Sequence, residues 1–435
     1  MLKVSDNRRF LVQDDGTPFF YLGDTAWELF HRLSYSEAEY YLRDRAAKHF
    51  TVIQAVVLAE IDGLHTPNAN GDTPLHDDDP AQPNEAYFAH VDKVVDLAAS
   101  LGLYIGMLPT WGDKWNQKWG VGPEIFTPQN ARIYGRWLAR RYADRPIIWI
   151  VGGDRPLESE NHQLILRALA EGLREGDGGS HLITMHTWGP HSTSEYVHDE
   201  PWLDFHTCQS GHARNSPNYR FIEADYTRQP LRPCMDAEPG YEDMPDNIRN
   251  LDGGYLDDWD VRKAIYWALF AGAHGHTYGC NPVWQMWQPG RKALIWPRRP
   301  LYEAIHLPGS GQVQYARALL ESRPFLSRIP DQSLIASDAG EGTHHVQATR
   351  DSAGTYALVY LPAGDDVELN LSPLTADKLL AYWFDPRTGV AQRIGILQRQ
   401  DRMRFTPPDG GLDWVLALED PAVGYPAPGS RPLLG

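Results

Sequence analysis

Short apolar runs alternate with longer amphipathic segments over the first three quarters of the chain. A short run that is apolar throughout is typical of a strand buried on both faces, as in parallel sheets. The predicted strands are Phe19–Gly23, Thr51–Val57, Leu103–Leu108, Pro146–Val151, Leu182–His186, Asp204–Cys208, Pro233–Asp236 and Gly275–Gly279.

The segments between these strands carry helix signals. Ser36 is a predicted N-cap, and Gly102 follows an amphipathic segment as a C-terminal signal. Thr127 and Pro128 form an N-cap and first-turn pair. Eight strands alternating with helices predict an α/β fold, a (β/α)8 TIM barrel. An open doubly wound sheet is the alternative, but no GxGxxG motif follows the first strand.

Both ends of the chain depart from this pattern. Near the start, Phe10–Val12 and Phe19–Leu22 flank an Asp-Gly turn signal, which predicts a β-hairpin. The last part alternates apolar and polar residues in short runs, which predicts a small antiparallel β-sandwich. We therefore expect the (β/α)8 barrel with its hairpin over residues 1–325 and a β-sandwich domain over residues 326–435.

Charge and cysteine content exclude several classes of protein. Lys and Arg number 40 against 57 Asp and Glu, giving a net charge of −17, which argues against nucleic acid or an anionic membrane as a partner. Cys208, Cys234 and Cys280 are too few and too widely spaced for a disulfide framework, so we expect buried free thiols. The first ten residues contain no apolar leader, so we expect a cytoplasmic protein, or a secreted one if a leader has been removed.

Polar and aromatic residues collect where the predicted strands end. Catalytic groups of a (β/α)8 barrel lie at those carboxyl ends. Asp24, Asp154 and Glu238 lie at or just after the ends of the first, fourth and seventh predicted strands, and histidines and tryptophans accompany them. This mixture of carboxylates, histidines and aromatics is typical of a glycosidase cleft, with a carbohydrate as the substrate.

Asp154 and Glu238 are the predicted catalytic pair. The apolar run Ile147–Val151 has no structural need for an acid at its tip, yet two glycines and Asp154 follow it. Glycoside hydrolysis needs one carboxylic acid to protonate the leaving oxygen and a second carboxylate to attack carbon or activate water. The alternative is structural: Asp154 would cap the next helix and Glu238 would bind an arginine.

The remaining candidates are substrate-binding residues. Asp24 either caps a helix or grips two sugar hydroxyls. Aromatic residues at strand ends either fill the core or act as platforms for sugar rings. No HExxH or tight ligand spacing appears, so we expect neither a metal nor another cofactor. The predicted substrate-binding residues are Asp24, Trp27, Trp111, His186, Trp188, His206, His276 and Tyr278.

Three stretches carry a family resemblance: "FLVQDDGTPFFYLGDTAWELF", "WIVGGD" and "DAEPGYE". Together they resemble glycoside hydrolase family 140, the apiosidase-like family that acts on pectin side chains of plant cell walls. The tail, with "YWFDPRTG" and "GLDWVLALED", resembles the β domain that follows this barrel, often labelled collagen-binding. The resemblance implies that Asp154 is the general acid/base and Glu238 the nucleophile.

The implied activity is that of a retaining glycoside hydrolase, releasing a pentose such as apiose from a plant-derived glycan or glycoside. One alternative is an enzyme of the same fold for another sugar, such as an arabinofuranosidase or a β-glycosidase. A non-catalytic carbohydrate-binding barrel is another, although it would not need an intact acid pair. The oligomeric state does not follow from the sequence.

Overall fold

The computed structural model describes residues 1–409 and 413–430. The strands up to residue 300 are β1 (Leu2–Val4), β2 (Leu11–Gln13), β3 (Pro18–Phe19), β4 (Tyr21–Thr25), β5 (Val52–Leu58), β6 (Tyr104–Thr110), β7 (Ile147–Gly152), β8 (Ile183–His186), β9 (His191–Ser192), β10 (His206–Gln209), β11 (Cys234–Asp236), β12 (Pro245–Asp246), β13 (Asn250–Tyr255) and β14 (Gly275–Tyr278). The helices are α1 (Leu29–Arg32), α2 (Tyr35–Ala47), α3 (Glu85–Ser100), α4 (Pro128–Arg141), α5 (Glu160–Asp177), α6 (Asn218–Thr227), α7 (Asp258–Phe270), α8 (Asn281–Trp284), α9 (Leu301–Ala304) and α10 (Pro308–Glu321). The later strands are β15 (Arg328–Pro330), β16 (Gln347–Asp351), β17 (Tyr356–Leu361), β18 (Val367–Asn370), β19 (Lys378–Phe384), β20 (Ala391–Gln398), β21 (Arg402–Phe405) and β22 (Trp414–Glu419).

Nine of the described strands form one curled sheet, in the order β8-β7-β6-β5-β4-β14-β11-β10-β9. Neighbours from β8 to β10 run parallel, and β9 adds an antiparallel edge. The two ends of the parallel run approach each other, since the Asp204 N–H donates to the Ile183 carbonyl at 2.9 Å. Thr184 Oγ1 also donates to the Phe205 carbonyl at 2.7 Å. The predicted alternation of buried strands and helices is confirmed.

The helix boundaries follow local capping chemistry. Thr127 caps α4 with Pro128 in its first turn, as predicted. The prediction that Ser36 caps α2 is wrong, because Ser34 caps it instead. Glu37 lies three residues after Ser34 and accepts from the Ser34 N–H at 2.9 Å, so the two residues form a capping box.

A small sheet at the start of the chain closes one end of the curled sheet. The predicted hairpin is confirmed as β2 and β3, and β1 adds a third antiparallel strand. Leu11 and Phe19 of this small sheet share a buried cluster with Tyr21, Val52 and Ile148, which lie near the amino ends of β4, β5 and β7. The opposite end, where the parallel strands finish, is therefore the end available for a site.

The C-terminal region is β-rich. Six of the described strands form an antiparallel sheet in the order β15-β16-β17-β22-β19-β20, and β18 pairs with β21 separately. Strand β17 is buried on both faces: Leu358 packs with the large buried cluster around the curled sheet, whereas Val359 packs with Val367 and Leu369 of β18. Residues 410–412, within the tail motif, and residues 431–435 lie outside the described residues.

Buried ion pairs join this region to the helices of the curled sheet. Arg262 of α7 donates two hydrogen bonds to Asp413, at 2.9 and 3.0 Å, and both side chains are almost fully buried. Arg323 makes a similar contact with Glu419 of β22. Trp267 Nε1 donates to the His345 carbonyl at 2.8 Å. Paired charges and aromatic packing therefore hold the two regions in a defined orientation.

Other sequence-based expectations concern cysteines and membrane spans. The three cysteines are buried free thiols, as predicted. No helix among the described residues combines the length and apolar character needed to cross a bilayer.

Candidate active site

A cleft of about 950 Å³ opens where the parallel strands end. This is a typical volume for a small-molecule site. The polar residues that line it are Glu60, Asp154, Gln209, Ser210, His212, Ser216, Glu238, Asn247 and Arg249. The aromatic residues that line it are Trp27, Trp111, Trp119, Trp188, Tyr241, Trp284 and Trp296.

The two glycines before Asp154 are required by the turn that carries it into the cleft. Gly152, Gly153 and Asp154 all adopt positive φ, at 99°, 111° and 46°. A Cβ on Gly152 would lie 2.3 Å from the His186 carbonyl oxygen, and one on Gly153 would lie 2.7 Å from the Gly112 nitrogen. Only glycine fits these positions, and Asp is among the residues that tolerate the left-handed region. Strand β7 therefore ends in a sharp turn that presents the Asp154 carboxyl.

The Asp154 side chain is 23% exposed and faces the cleft. Its Oδ2 accepts from Trp119 Nε1 at 3.4 Å and from Arg155 Nη1 at 3.3 Å. Burial raises the pKa of Asp154 to about 6, and the negative charge of Glu238 adds to that rise. Asp154 therefore carries a proton over part of the range in which it could act as an acid.

Glu238 lies just beyond β11 and faces two histidines. His186 Nε2 lies 2.6 Å from Oε2, a close contact that is off the ideal hydrogen-bond alignment, and His212 Nε2 lies 3.3 Å from Oε1. The Asp154 N–H donates to His186 Nδ1 at 3.1 Å, so a neutral His186 carries its proton on Nε2, towards Glu238. Burial alone would raise the pKa of Glu238, but the two histidine contacts outweigh burial and lower it.

The pKa values of the two carboxyl groups are therefore shifted in opposite directions. Asp154 keeps a proton to a higher pH than an ordinary aspartate, whereas Glu238 stays ionised. Carboxyl groups with pKa values pushed apart are the arrangement that an acid and a nucleophile, or an acid and a base, require. The predicted pair thus lies in one cleft.

Aromatic rings form the floor and one wall of the cleft. Trp27 and Trp111 are buried in the floor with ring centroids 5.2 Å apart. Trp188 stacks on His191 at 4.4 Å, and its ring lies 6.4 Å from that of Trp119. The structure thus brings Trp27, Trp111 and Trp188 to the cleft, as predicted, while their binding of sugar rings stays a prediction. His186 packs beneath Trp27 and Trp111 rather than lining the cleft.

Asp24 and Tyr278 were predicted to bind substrate, and the structure contradicts this. Side chains alternate between the two faces of a strand, and both residues lie on the face that packs against the helices. Asp24 is fully buried and pairs with Arg45 of α2 at 2.5 Å. Tyr278 donates to Glu242 Oε2 at 2.5 Å. Neither residue reaches the cleft.

The same correction applies to His206 and His276. His206 Nε2 lies 3.0 Å from Nδ1 of His198, and burial, aided by His198, lowers the pKa of His206 to about 3. His276 shares the strand face of Tyr278 and is buried, which lowers its pKa to about 3. Both rings are therefore neutral parts of the protein interior and lie outside the cleft.

Several cleft residues were missing from the predicted site, among them Glu60, Trp119, His212 and Tyr241. The sequence carried a signal for Glu60, because this residue follows β5, the second strand of the parallel series, by two residues. Functional residues of a (β/α)8 barrel lie at such carboxyl ends. His212 lies just after β10 and could be found by the same rule. Trp119 and Tyr241 lie in longer loops, where spacing gives no signal. Within the described parts of the chain, no group of three or more His, Cys, Asp or Glu residues is arranged to hold a metal ion.

Comparison with known proteins gives the family. The model of the apiosidase-like catalytic domain matches residues 5–327. The chain belongs to the apiosidase-like family. A second model, described as "Putative collagen-binding domain of a collagenase", matches residues 329–419 of this apiosidase-like chain. No curated protein matches the chain significantly.

Solved structures described as glycoside hydrolases are also similar to this chain. A structure described as a glycoside hydrolase is 32% identical, with 97% of each chain covered and a TM-score of 0.89. A glycoside hydrolase family 5 structure from Bacteroides vulgatus is 33% identical, covering 100% of this chain and 96% of that one, with a TM-score of 0.91. A family 5 mannosidase from Rhizomucor miehei, 12% identical over 72% of this chain and 95% of its own, shares the fold with a TM-score of 0.51. The family model and the solved structures together show that this chain is similar to glycoside hydrolases.

Proposed function

We propose that this apiosidase-like protein is a retaining glycoside hydrolase in which Glu238 is the nucleophile and Asp154 the general acid/base. The observation that carries the proposal is the placement of these two carboxyl groups in one cleft, in surroundings that raise the pKa of Asp154 and lower that of Glu238. Their placement after β7 and β11, the fourth and seventh strands of the parallel series, supports it. We also propose that the curled sheet is a closed (β/α)8 barrel and that the chain divides into domains at about residue 325.

The first step would form a covalent intermediate. The ionised Glu238 oxygen attacks the anomeric carbon while the bond from that carbon to the leaving oxygen breaks. Asp154 gives its proton to the leaving oxygen, so the departing group leaves as an alcohol. His186 and His212 hold the Glu238 carboxylate in place through their Nε2 contacts.

The second step reverses the roles of the first. Asp154, now ionised, takes a proton from water while the water oxygen attacks the anomeric carbon. The bond to Glu238 breaks and the sugar leaves with its original anomeric configuration. Because Glu238 returns to its ionised form and Asp154 regains its proton, the site is ready for another turnover.

The neighbours of Asp154 define the leaving-group side of the cleft. The general acid, Asp154, must lie beside the leaving oxygen. Trp119 donates a hydrogen bond to Asp154 and therefore lies on the same side of the cleft. Trp119 is 56% exposed and lies next to Trp188, so the two rings offer a flat apolar wall on that side. We propose that this wall receives a leaving group with an apolar face, such as a second sugar ring.

The proposed substrate is a plant-derived glycan or glycoside, and the proposed sugar is apiose, as in glycoside hydrolase family 140. The test is incubation of the protein with 4-nitrophenyl apioside, 4-nitrophenyl arabinofuranoside, aryl β-glycosides and pectin fragments, with the products followed by NMR before mutarotation. Release of apiose with retained configuration would support the proposal. Release of another sugar would support a different specificity, inversion would make Glu238 a base that activates water, and binding without hydrolysis would support a non-catalytic barrel.

A further inference from the structure

A third carboxyl group faces the cleft, and the two-step reaction does not use it. Glu60 follows β5 by two residues, lines the cleft and is only 9% exposed. Across residues 1–409 and 413–430, no hydrogen bond or salt bridge joins its carboxyl to another side chain or to the backbone. A buried carboxyl without a partner is costly, so its position beside a ligand cleft calls for a ligand.

The backbone on both sides of Glu60 is held by buried charged residues. Lys114 Nζ donates to the Ala59 carbonyl at 2.7 Å, and Glu28 Oε1 accepts from the Ile61 N–H at 3.4 Å. Lys114 and Glu28 are both fully buried. The position of Glu60 is therefore built by the protein interior, which is what a binding residue requires.

The surroundings of Glu60 favour its neutral form. The charged groups that face it are Asp154, Arg155, Asp113, Glu28 and Arg32. Burial raises the pKa of Glu60 to about 8, and the charge of Asp154 adds to that rise. Arg155 opposes the shift but is shared with Asp154, to which it donates at 3.3 Å. At neutral pH the Glu60 carboxyl therefore holds a proton.

We propose that Glu60 binds the substrate as a neutral carboxylic acid and donates a hydrogen bond to a sugar hydroxyl near Asp154. The inference deepens the proposed glycosidase function and rests on it. A carboxylate can only accept hydrogen bonds, whereas a carboxylic acid offers one donor and one acceptor, which matches a hydroxyl that does both. Glu60 is thus a specificity residue that acts on binding, while Asp154 and Glu238 carry the bond changes.

The kinetic consequence is a pH-dependent KM that is separate from the pH dependence of kcat. Above about pH 8 Glu60 loses its proton and can no longer donate, so KM should rise there. The value of kcat, which reports on the enzyme–substrate complex, depends instead on the protonation of Asp154, whose pKa is about 6. A residue with a merely structural role would not produce this split.

The test uses 4-nitrophenyl apioside with Glu60→Gln, Glu60→Leu and the control Glu303→Gln, which makes the same chemical change at an exposed site on α9. Glu60→Gln keeps a neutral donor, so its KM should stay within about threefold of wild type and lose its rise above about pH 8. Glu60→Leu should raise KM about tenfold relative to wild type below about pH 8, because a sugar hydroxyl loses its partner, and should show no further rise above that pH. A Glu60→Gln variant that keeps the alkaline rise, or a Glu60→Leu variant with wild-type KM, would overturn the proposal.

A second measurement needs no substrate, so it separates this inference from the proposed function. Protein carrying ¹³C-labelled glutamate carboxyl groups is titrated by NMR, and the Glu60 signal is the one missing from Glu60→Gln. A midpoint near pH 8 is expected. A midpoint near that of an exposed glutamate, about 4.3, would overturn the neutral-acid role even if the enzyme cleaves apiosides.

Discussion

Buried carboxyl groups occur in two regions of this molecule and are treated in opposite ways. At the junction with the C-terminal region, Asp413 receives two hydrogen bonds from Arg262, and Glu419 is paired with Arg323. In the cleft, Glu238 faces the Nε2 atoms of His186 and His212, and Glu60 has no hydrogen-bond or salt-bridge partner among the described residues.

The difference separates carboxyl groups that support the fold from those available for chemistry. A buried carboxylate locked against a guanidinium is satisfied and has no reason to bind or transfer a proton. Carboxyl groups held in a cleft with pKa values pushed apart are costly to the fold and typical of functional sites. The comparison therefore predicts that substitutions in the cleft reduce activity without unfolding, and that substitutions at the junction do the reverse.

The largest effect is expected for Glu238→Gln. It removes the proposed nucleophile, so kcat should fall by about four orders of magnitude or more for every leaving group. The thermal midpoint should stay close to wild type, since the amide occupies the same space. Steady-state kinetics and calorimetry provide the measurements, with Glu303→Gln as control. Wild-type turnover in Glu238→Gln would refute the assignment.

Asp154→Asn should have the next largest effect, and one that depends on the leaving group. General acid help contributes about 10²–10⁴-fold to a reaction, so natural glycosides with poor leaving groups should lose that much rate. Activated 4-nitrophenyl glycosides need less help and should lose far less in the first step. Equal losses for both classes of substrate would argue against an acid role for Asp154.

Arg262→Met tests the other side of the comparison. Removing the arginine leaves Asp413 buried without its partner, which typically costs about 3–5 kcal/mol of unfolding free energy. Activity per folded molecule should be unchanged, because the pair lies outside the cleft. Denaturant unfolding measures the loss, and the doubly changed Arg262→Met, Asp413→Leu protein should recover much of it. An Arg262→Met variant that is as stable as wild type but inactive would contradict the distinction between the junction and the cleft.

The pH profile of the wild type gives a smaller and more graded effect. Asp154 must hold a proton, and its raised pKa of about 6 means that the protonated fraction falls above that pH. The value of kcat/KM should therefore drop about tenfold per pH unit on the alkaline side. Glu238 has a lowered pKa, so it stays ionised on the acidic side of the profile. The value of kcat/KM should therefore not fall near the ordinary pKa of a glutamate. An alkaline limb that is unchanged in Asp154→Asn would contradict this assignment.

Trp119→Phe should have the smallest effect. An aromatic ring remains next to Trp188, but the Nε1 hydrogen bond that lowers the pKa of Asp154 is lost. The alkaline limb should therefore move upwards by about half a pH unit or less, with activity reduced about twofold. Trp296→Phe, at another exposed position on the cleft, serves as the control and should leave the limb in place.

The sequence was informative wherever the signal lies within one segment. Apolar runs and caps predicted each strand of the parallel series, and the boundaries differ by only one or two residues. The glycines before Asp154 were visible because a tight turn needs them within three positions of the chain. The same local reasoning missed Ser34 as the N-cap of α2, although Glu37 stands at the capping-box distance.

Candidate residues were harder to predict because the face of a strand depends on small shifts in its path. Asp24 and Tyr278 stand at strand ends, as functional residues do, but strand alternation turns them towards the helices. Glu60 stands at an equivalent place and reaches the cleft because Lys114 and Glu28 hold its backbone there. These holding contacts join residues that are 55 and 33 positions apart, beyond the reach of periodicity.

The sequence by itself determined the order of strands and helices, the change to β structure near residue 325, and the presentation of Asp154 after two glycines. Each of these follows from short-range sterics and from the burial pattern of neighbouring residues. The tertiary structure alone decided that His186 and His212 lower the pKa of Glu238, that burial raises the pKa values of Asp154 and Glu60, and that Arg262 pairs with Asp413. The reason is physical: a protonation state depends on burial and on charges a few ångströms away, and folding brings those charges from distant parts of the chain.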